Sequence, residues 1–263
     1  MLVEQVWTGN DYRNFNYLIA SPDTGEAVAI DPLEYQMCLD AAKEKGWQIT
    51  QIINTHHHGD HIAGNPGMVA ATGAKILAHE NARDKIPNMD TGLNAGDTVK
   101  IGKSVVLEVL DTPGHTMSHV CLLSHTDTPA LFAGDTMFNA GAGNCHNGGH
   151  PEALYTTFVE QLSKLPDETL IYPGHDYIKN NLEFTLDREP DNVFARQLLA
   201  RVEHQDPANA MITNLGGEKE FNAFFRLRSP SVITRLRESF SDLPDQPDEM
   251  TVFLKLRELR NDW

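Results

Sequence analysis

Short apolar runs, separated by turn residues, alternate with polar positions along the first two thirds of the chain. This pattern is typical of β-strands. The predicted strands span residues 3–7, 15–20, 27–30, 49–54, 75–78, 120–123, 131–133 and 169–172, with a hairpin over 98–110. Stretches with helical spacing lie between them and predict helices over residues 31–46, 65–72 and 152–165. Strands interspersed with helices predict an α/β fold with sheets inside and helices outside.

The pattern changes near residue 175. Beyond that point the strand signal largely disappears, and apolar positions recur at helical spacing. The predicted helices span residues 178–188, 193–204, 231–240 and 250–260. We therefore expect two domains, an α/β domain over residues 1–175 and a helical domain over residues 176–263.

Composition excludes several classes of protein. The net charge is −16, and a nucleic-acid-binding protein would need clustered Lys and Arg. No apolar run is long enough for a membrane span, and the first residues carry no secretory signal pattern. The 3 cysteines, Cys38, Cys121 and Cys145, are too widely spaced for a disulfide framework. We expect a cytoplasmic protein without a nucleic-acid or membrane partner.

Histidine and aspartate residues gather in four motifs, each directly after a predicted strand. The candidate metal ligands in these motifs are His56, His58, Asp60, His61, His115, Asp135 and His175. Loops that follow strands in α/β folds converge on one point, so we expect these side chains to lie together. Imidazole and carboxylate donors suit zinc, iron or manganese, whereas calcium prefers oxygen alone.

These donors are enough for two metal ions. One possible division is His56, His58 and His115 for a first metal, Asp60, His61 and His175 for a second, and Asp135 as a bridge. Two metals held in this way lie roughly 3.5–4 Å apart and can share a hydroxide. A single histidine is more often a surface or core residue than a ligand, and we expect His57 and His119 not to be ligands. Cys145 is a weak candidate nucleophile because no base is assigned to it.

The motifs at residues 55–61, 112–115, 134–136 and 174–175 resemble the metal-binding motifs of the metallo-β-lactamase superfamily. Within that superfamily, the segments at 134–138, 174–184 and 222–228 resemble glyoxalase II, the hydroxyacylglutathione hydrolases. The resemblance implies an αββα sandwich with a C-terminal α-helical domain. It also implies the two-metal division given above, with Asp135 bridging.

The resemblance further implies which residues contact the substrate. Tyr177 and Arg226 match positions that contact glutathione in the family. Asn144 stands where the family has a basic residue, and His146 stands where it has a tyrosine. A neutral Asn cannot pair with a carboxylate of glutathione, and such a charge-assisted hydrogen bond contributes roughly 1.5–3 kcal/mol. We expect Tyr177, Arg226, Asn144 and His146 to contact the substrate.

The expected reaction is hydrolysis of an S-(2-hydroxyacyl)glutathione thioester, such as S-lactoylglutathione, to a hydroxy acid and a free thiol. Asp60 and Asp135, with a hydroxide bridging two divalent metals, are the expected catalytic groups. The small-molecule thioester is the expected partner, and a monomer is slightly favoured. The alternatives are a single-iron glutathione persulfide dioxygenase that uses His56, His115 and Asp135, a lactonase, and a metal-binding module without turnover.

Overall fold

The computed structural model describes residues 1–263, and these form two compact units. The first unit comprises Met1–Thr112, Ser118–Gly134 and Tyr172–Asp176. The second unit comprises Pro113–Met117, Asp135–Ile171 and Tyr177–Trp263. Residues 135–171 thus group with the C-terminal helices, whereas the sequence pattern predicts one boundary near residue 175. No helix of either unit is both long enough and apolar enough to cross a membrane.

The first unit contains a six-stranded sheet in which the strands follow chain order. The strands are β1 (Leu2–Trp7), β2 (Phe15–Ala20), β3 (Glu26–Ile30), β4 (Gln48–Asn54), β5 (Lys75–His79) and β6 (Thr91–Leu93). Strands β1 to β3 are antiparallel, and β3 to β6 are parallel. The ends of the parallel strands therefore meet at one edge, where β4 runs into the histidine-rich segment.

Helices cover one face of this sheet. They are α1 (Tyr35–Lys45), α2 (Gly59–Ile62) and α3 (Asn65–Thr72). Leu18 and Ile52 of the sheet pack with Cys38 of α1 and Met68 of α3 in one buried cluster. Helix α1 begins at Tyr35, later than predicted, and Asp31 lies outside it because a right-handed helix cannot contain its left-handed φ of 47°.

A second sheet of the first unit covers the other face. Its strands are β7 (Thr98–Ile101), β8 (Val105–Asp111), β9 (Val120–Ser124) and β10 (Ala130–Gly134). The end of β13 (Leu170–Pro173) lies next to β10 in this sheet. The Tyr17 ring of the first sheet contacts the rings of Phe132 and Tyr172, with centroids 5.6 and 5.5 Å away. The Tyr17 hydroxyl donates to the Pro173 carbonyl at 2.7 Å. The two sheets therefore form a sandwich with an aromatic interior.

The second unit is mostly helical. Its helices are α4 (Pro151–Glu160), α5 (Ile178–Arg188), α6 (Val193–Val202), α7 (Leu215–Phe221), α8 (Pro230–Ser239) and α9 (Glu249–Asn261). Its short strands are β11 (Met137–Phe138), β12 (Gly141–Ala142) and β14 (Thr213–Asn214). Phe158, Phe224 and Phe253 form a buried aromatic cluster between α4 and α9.

Candidate metal centre

The histidine-rich segment begins where β4 ends and continues into α2. The side chains of His56 and His61 are buried, although imidazole is a polar group. Asn54, the last residue of β4, donates its side-chain amide to the His61 carbonyl at 3.1 Å. This hydrogen bond stabilises the turn between β4 and α2. The turn brings His56, His58 and His61 close together. The His56 Nε2 atom lies 3.0 Å from the His58 Nδ1 atom.

Asp31 organises these histidines from the end of β3. Its Oδ2 atom accepts from His61 Nδ1 at 2.9 Å and from the Thr55 hydroxyl at 2.6 Å, and its Oδ1 atom accepts from the Thr55 backbone N–H at 2.8 Å. Because the Thr55 hydroxyl gives its hydrogen to Asp31, its oxygen accepts from His56 Nδ1 at 3.0 Å. Asp31 thus fixes the tautomers of both rings and directs their Nε2 lone pairs away from itself. Sequence analysis missed this residue.

His61, His175 and Asp60 form one donor triad, here called the Asp60 triad. The two Nε2 atoms of His61 and His175 lie 3.3 Å apart, and each lies 3.5 Å from Asp60 Oδ2. His175 Nδ1 donates to the Tyr12 carbonyl at 2.7 Å. Since both Nδ1 atoms carry hydrogen, the two Nε2 lone pairs face each other and a carboxylate oxygen.

The dimensions of the Asp60 triad fit a metal ion. Three acceptors that converge in this way repel one another unless a cation lies between them. Ligand bonds of about 2.1 Å at tetrahedral angles place neighbouring donor atoms about 3.4 Å apart. The distances of 3.3 and 3.5 Å match this geometry. The donor set of two imidazoles and one carboxylate suits zinc, iron or manganese.

Asn14 holds the carboxylate of the Asp60 triad. Its side-chain amide donates to the Asp60 backbone carbonyl and to Asp60 Oδ2, both at 3.2 Å. Asn10 donates to the Asn14 side-chain oxygen at 2.9 Å, which determines the orientation of the Asn14 amide. Asn14 is buried and also forms an isolated β-bridge with His175. It is a second residue of this site that sequence analysis missed.

Two of the predicted ligands, His115 and Asp135, lie in the second unit. His115 Nε2 is 3.6 Å from Asp135 Oδ2, and both side chains are buried. His115 Nδ1 donates to the Asn144 carbonyl at 2.7 Å, so its Nε2 lone pair faces the carboxylate. A Cβ atom at position 143 would lie 1.9 Å from the Asp135 carbonyl oxygen, so only Gly143 permits this backbone to approach Asp135.

His57 and His119 behave differently from the donor histidines. His57 Nδ1 lies 3.3 Å from the Ser118 hydroxyl, and His57 is in none of the donor groups that could hold a metal. His119 stacks on the His56 ring at 5.2 Å, and its Nδ1 atom bonds to the Thr112 hydroxyl at 2.9 Å. His119 therefore supports His56 by packing, as expected for a structural residue.

A cavity of about 280 Å³ in the second unit contains three of the four predicted substrate residues. We call it the arginine pocket, and it is lined by Phe138, Ala142, Asn144, His146, Tyr177, Asn180, Arg257, Arg260 and Asn261. Neither arginine forms an ion pair: Arg257 donates to the carbonyls of Ala142 and Gly143, and Arg260 donates to the Asn181 side chain. Burial lowers the pKa of Arg257 to about 10, so it stays protonated at neutral pH.

The structure separates Arg226 from the other predicted substrate residues. Arg226 lines a different cavity, of about 390 Å³, and donates to both carboxylate oxygens of Glu189 at 2.5 and 2.8 Å. Its charge is therefore neutralised outside the arginine pocket. The positive charge of the pocket comes from Arg257 and Arg260, which sequence analysis missed. The signal available in the sequence is their spacing of one helical turn in the last predicted helix.

Comparison with known proteins identifies the family. Residues 17–175 match the family model of the metallo-β-lactamase superfamily, and residues 176–263 match the model described as the hydroxyacylglutathione hydrolase C-terminus. Hydroxyacylglutathione hydrolases from Polaromonas sp. strain JS666 and Nitrosococcus oceani are each 65% identical to this chain over 263 residues, which is 100% of both chains. The chain belongs to the hydroxyacylglutathione hydrolase family.

The family resemblance expected from the motifs is thus confirmed. The αββα sandwich with a C-terminal helical region is also confirmed. The crystal structure of ETHE1 from Myxococcus xanthus is similar to this fold, with a TM-score of 0.68 and 26% identity over 99% of this chain and 98% of that chain. Members of a metallo-β-lactamase superfamily bind divalent metals, in agreement with the donors of the Asp60 triad.

Cys145 does not have the properties of a nucleophile in this family member. It lies between Asn144 and His146, two residues of the arginine pocket. Burial raises the pKa of its thiol to about 11. A thiol with so high a pKa is protonated at neutral pH, and only the thiolate is a strong nucleophile. Cys145 is therefore not expected to act as a nucleophile at neutral pH.

Proposed function

We propose that this protein hydrolyses S-(2-hydroxyacyl)glutathione thioesters, such as S-lactoylglutathione, to a hydroxy acid and free glutathione. The observation that carries the proposal is the Asp60 triad, in which His61 Nε2, His175 Nε2 and Asp60 Oδ2 converge within 3.5 Å. The proposed substrate follows from the relatives named hydroxyacylglutathione hydrolase that are 65% identical over their whole length.

The proposed metal centre uses all seven candidate ligands. They are His56, His58 and His115 for the first metal, Asp60, His61 and His175 for the second, and Asp135 as the bridge. The nitrogen and oxygen donors suit zinc, iron or manganese. When bound, divalent metals supply Lewis acidity that polarises a carbonyl and lowers the pKa of water to about 7.

The surrounding residues keep this centre in one arrangement. Asp31 and the Tyr12 carbonyl hold hydrogen on the Nδ1 atoms of His61 and His175, so both Nε2 atoms stay available as ligands. Asn14 holds the Asp60 carboxylate at 3.2 Å. The thiol product has an ordinary pKa of about 8.5, so it leaves as a thiolate without a strong general acid.

The arginine pocket is proposed to hold the thiol half of the substrate. Glutathione carries two carboxylates, and Asn144 lacks the positive charge that would bind one of them. Arg257 and Arg260 supply that charge in the same cavity and have no acidic partner of their own. A charge-assisted hydrogen bond contributes roughly 1.5–3 kcal/mol. Two such arginines make glutathione a suitable thiol in spite of Asn144.

Hydrolysis of S-lactoylglutathione by the purified protein tests this proposal. Loss of thioester absorbance is followed for the unchanged protein, for His175→Ala, and for His204→Ala as a matched control, because His204 is exposed. We expect His175→Ala to lower kcat/KM by about a hundredfold or more, and His204→Ala to leave it unchanged. Absence of thioester hydrolysis by the unchanged, metal-loaded protein would contradict the proposal.

A further inference from the structure

Glu218 of α7 is a fully buried carboxylate. It accepts hydrogen bonds from the Thr213 hydroxyl at 2.7 Å, from the Asn222 side-chain amide at 2.9 Å and from the Ala140 backbone N–H at 2.9 Å. None of these partners carries a charge, and burial raises the pKa of Glu218 to about 7. Burying a carboxylate without a nearby cation costs free energy, so the presence of Glu218 at this position needs an explanation.

One of these bonds holds a strained position of the backbone. Ala140 has a left-handed φ of 59°, a backbone conformation that is unfavourable for an L-residue with a side chain. The Ala140 N–H has Glu218 as its acceptor instead of a neighbouring strand. The carboxylate therefore stabilises a backbone conformation that the local sequence does not favour.

Ala140 belongs to a segment in which side chains form hydrogen bonds to the backbone at every residue. We call residues 139–144 the pocket loop. Its backbone carbonyls accept as follows: Asn139 from Asn181 at 3.0 Å, Gly141 from Asn222 at 3.2 Å, Ala142 and Gly143 from Arg257 at 2.6 and 3.0 Å, and Asn144 from His115 at 2.7 Å. Glu218 accepts from the Ala140 N–H of the same loop at 2.9 Å. Through Asn222, which donates to both Glu218 and Gly141, it also holds a second point of the loop.

The pocket loop connects two parts of the proposed site. Ala142 and Asn144 line the arginine pocket, and the Asn144 carbonyl orients His115. Glu218 itself does not line the pocket. Any effect of Glu218 on the substrate must therefore act through the position of the loop.

We propose that Glu218 is a positioning residue, which fixes the pocket loop so that the arginine pocket is preformed for the thiol half of the substrate. This inference rests on the proposed function, because it concerns the pocket assigned to glutathione. The three contacts require a side chain long enough to reach the Ala140 N–H, Asn222 and Thr213 at once. Without it, the loop must be ordered when the substrate binds, and that ordering weakens binding.

Two substitutions separate the geometry of Glu218 from its charge. Glu218→Asp keeps the charge but shortens the side chain by one methylene, about 1.5 Å, so the carboxylate no longer reaches Ala140 N–H, Asn222 and Thr213 together. Glu218→Gln keeps the length: its oxygen accepts from Ala140 and Asn222, and its amide donates to the Thr213 hydroxyl. Thr213 then gives its own hydrogen to the Asn139 side-chain oxygen, 3.0 Å away.

A matched control is available in the same unit. Glu189 is also buried, at 3% exposure, and accepts from Arg226, Asn192 and Ser229. It does not touch the pocket loop. Glu189→Gln therefore reports what the loss of a buried carboxylate does to the helical unit in general.

The first readout is steady-state kinetics with S-lactoylglutathione. We expect Glu218→Asp to raise KM about five- to tenfold with kcat within about twofold. We expect Glu218→Gln to stay within about twofold of the unchanged protein in both constants. Glu189→Gln is expected to lower the melting temperature without changing KM. An unchanged KM in Glu218→Asp, or a KM raised more by Gln than by Asp, would overturn the inference.

The second readout does not depend on the reaction. Hydrogen exchange followed by mass spectrometry measures protection of the amides over residues 137–146 in each full-length variant. Glu218→Asp should speed exchange there about tenfold or more, whereas Glu189→Gln should not. Unchanged exchange in Glu218→Asp contradicts the positioning role even if the protein hydrolyses the thioester. Conversely, faster exchange in a protein that does not hydrolyse the thioester leaves the loop assignment standing and rejects the proposed substrate.

Discussion

Asp31 Oδ2 lies 2.9 Å from His61 Nδ1 and accepts its hydrogen, although the two residues are 30 positions apart in the chain. The contact exists because β3 and β4 are parallel neighbours, with Ile30 opposite Ile53 and the Asp31 N–H bonded to the Ile53 carbonyl at 3.0 Å. The carboxylate at the end of one strand therefore meets the histidines that follow the next. Partners of metal-binding histidines of this kind affect metal affinity strongly.

Asp31→Asn should weaken metal binding about 10- to 100-fold. Asn tolerates the left-handed φ of 47° at this position, so the backbone is retained while the negative charge is lost and one of the two acceptor oxygens becomes an NH2 donor. Competition with a chromogenic chelator measures the affinity. Asp40→Asn is the matched control, since Asp40 is exposed on α1. Equal metal affinity in Asp31→Asn and Asp40→Asn would show that Asp31 does not organise the site.

Substitution of Asp60 or Asp135 by Ala should remove metal and activity together. Both carboxylates lie close to imidazoles of proposed ligands: Asp60 is 3.5 Å from His61 and Asp135 is 3.6 Å from His115. We expect substoichiometric metal by mass spectrometry and kcat/KM lowered about a hundredfold or more. Asp84→Ala, at an exposed position, should retain both properties. Full metal content with full turnover in either site variant is incompatible with the proposed ligand sets.

Arg260→Met should raise KM for S-lactoylglutathione about tenfold or more, with little change in kcat. Arg260 lines the arginine pocket and donates to the Asn181 side chain, not to the pocket loop itself, so its removal takes away charge while the loop keeps its contacts with Arg257 and Glu218. Arg226→Met is the comparison, because Arg226 is paired with Glu189 in another cavity. If Arg226→Met raised KM more than Arg260→Met does, the thiol half would have been assigned to the wrong cavity.

Glu218 should make stability depend on pH. Burial raises its pKa from 4.5 to about 7, so the folded chain holds this proton more tightly than the unfolded chain does. Stability therefore falls as pH rises from about 4.5 to about 7, and stays level above that range. Lys219, the charged residue next to Glu218 in the chain, is partly exposed and paired at 2.6 Å with Asp167, which is exposed.

Urea unfolding of the unchanged protein and of Glu218→Gln at pH 5, 6, 7 and 8 measures this effect. The free energy of unfolding of Glu218→Gln, relative to the unchanged protein, should increase with pH by up to roughly 3 kcal/mol. Thr213 and Asn222 remain as partners of the Gln side chain. A difference between the two proteins that is constant from pH 5 to pH 8 would mean that Glu218 does not titrate in this range.

Much of the fold could be predicted because segments with strong apolar patterns form the secondary structure that those patterns predict. Phe15–Ala20 is a strand and Ile178–Arg188 is a helix, as the patterns predict. Strands β6 and β14, by contrast, are short segments without a strand pattern of their own. They are strands because they pair with β5 and β13 respectively. Helix α7 contains Gly216 and Gly217, which disfavour helix; it begins at an Asn214 side chain that accepts from the Gly217 N–H at 2.8 Å.

The candidate site divides in the same way. The proposed ligands from His56 to His175 could be selected from the sequence because each follows a recognisable strand and has a residue type that binds metals. Asp31 and Asn14 could not, because their roles depend on which strands and loops become neighbours. Arg257 and Glu218 were missed because a residue on an amphipathic helix has the same pattern whether it faces a cavity, a loop or solvent.

Metal content, measured together with turnover, tests the two-metal thioesterase most directly. The purified protein is analysed for metals per chain, then assayed for hydrolysis of S-lactoylglutathione and for oxygen uptake with glutathione persulfide. The seven proposed ligands predict about two divalent metals per chain, thioester hydrolysis and no oxygen uptake. One iron per chain with oxygen uptake and no thioester hydrolysis would contradict the account.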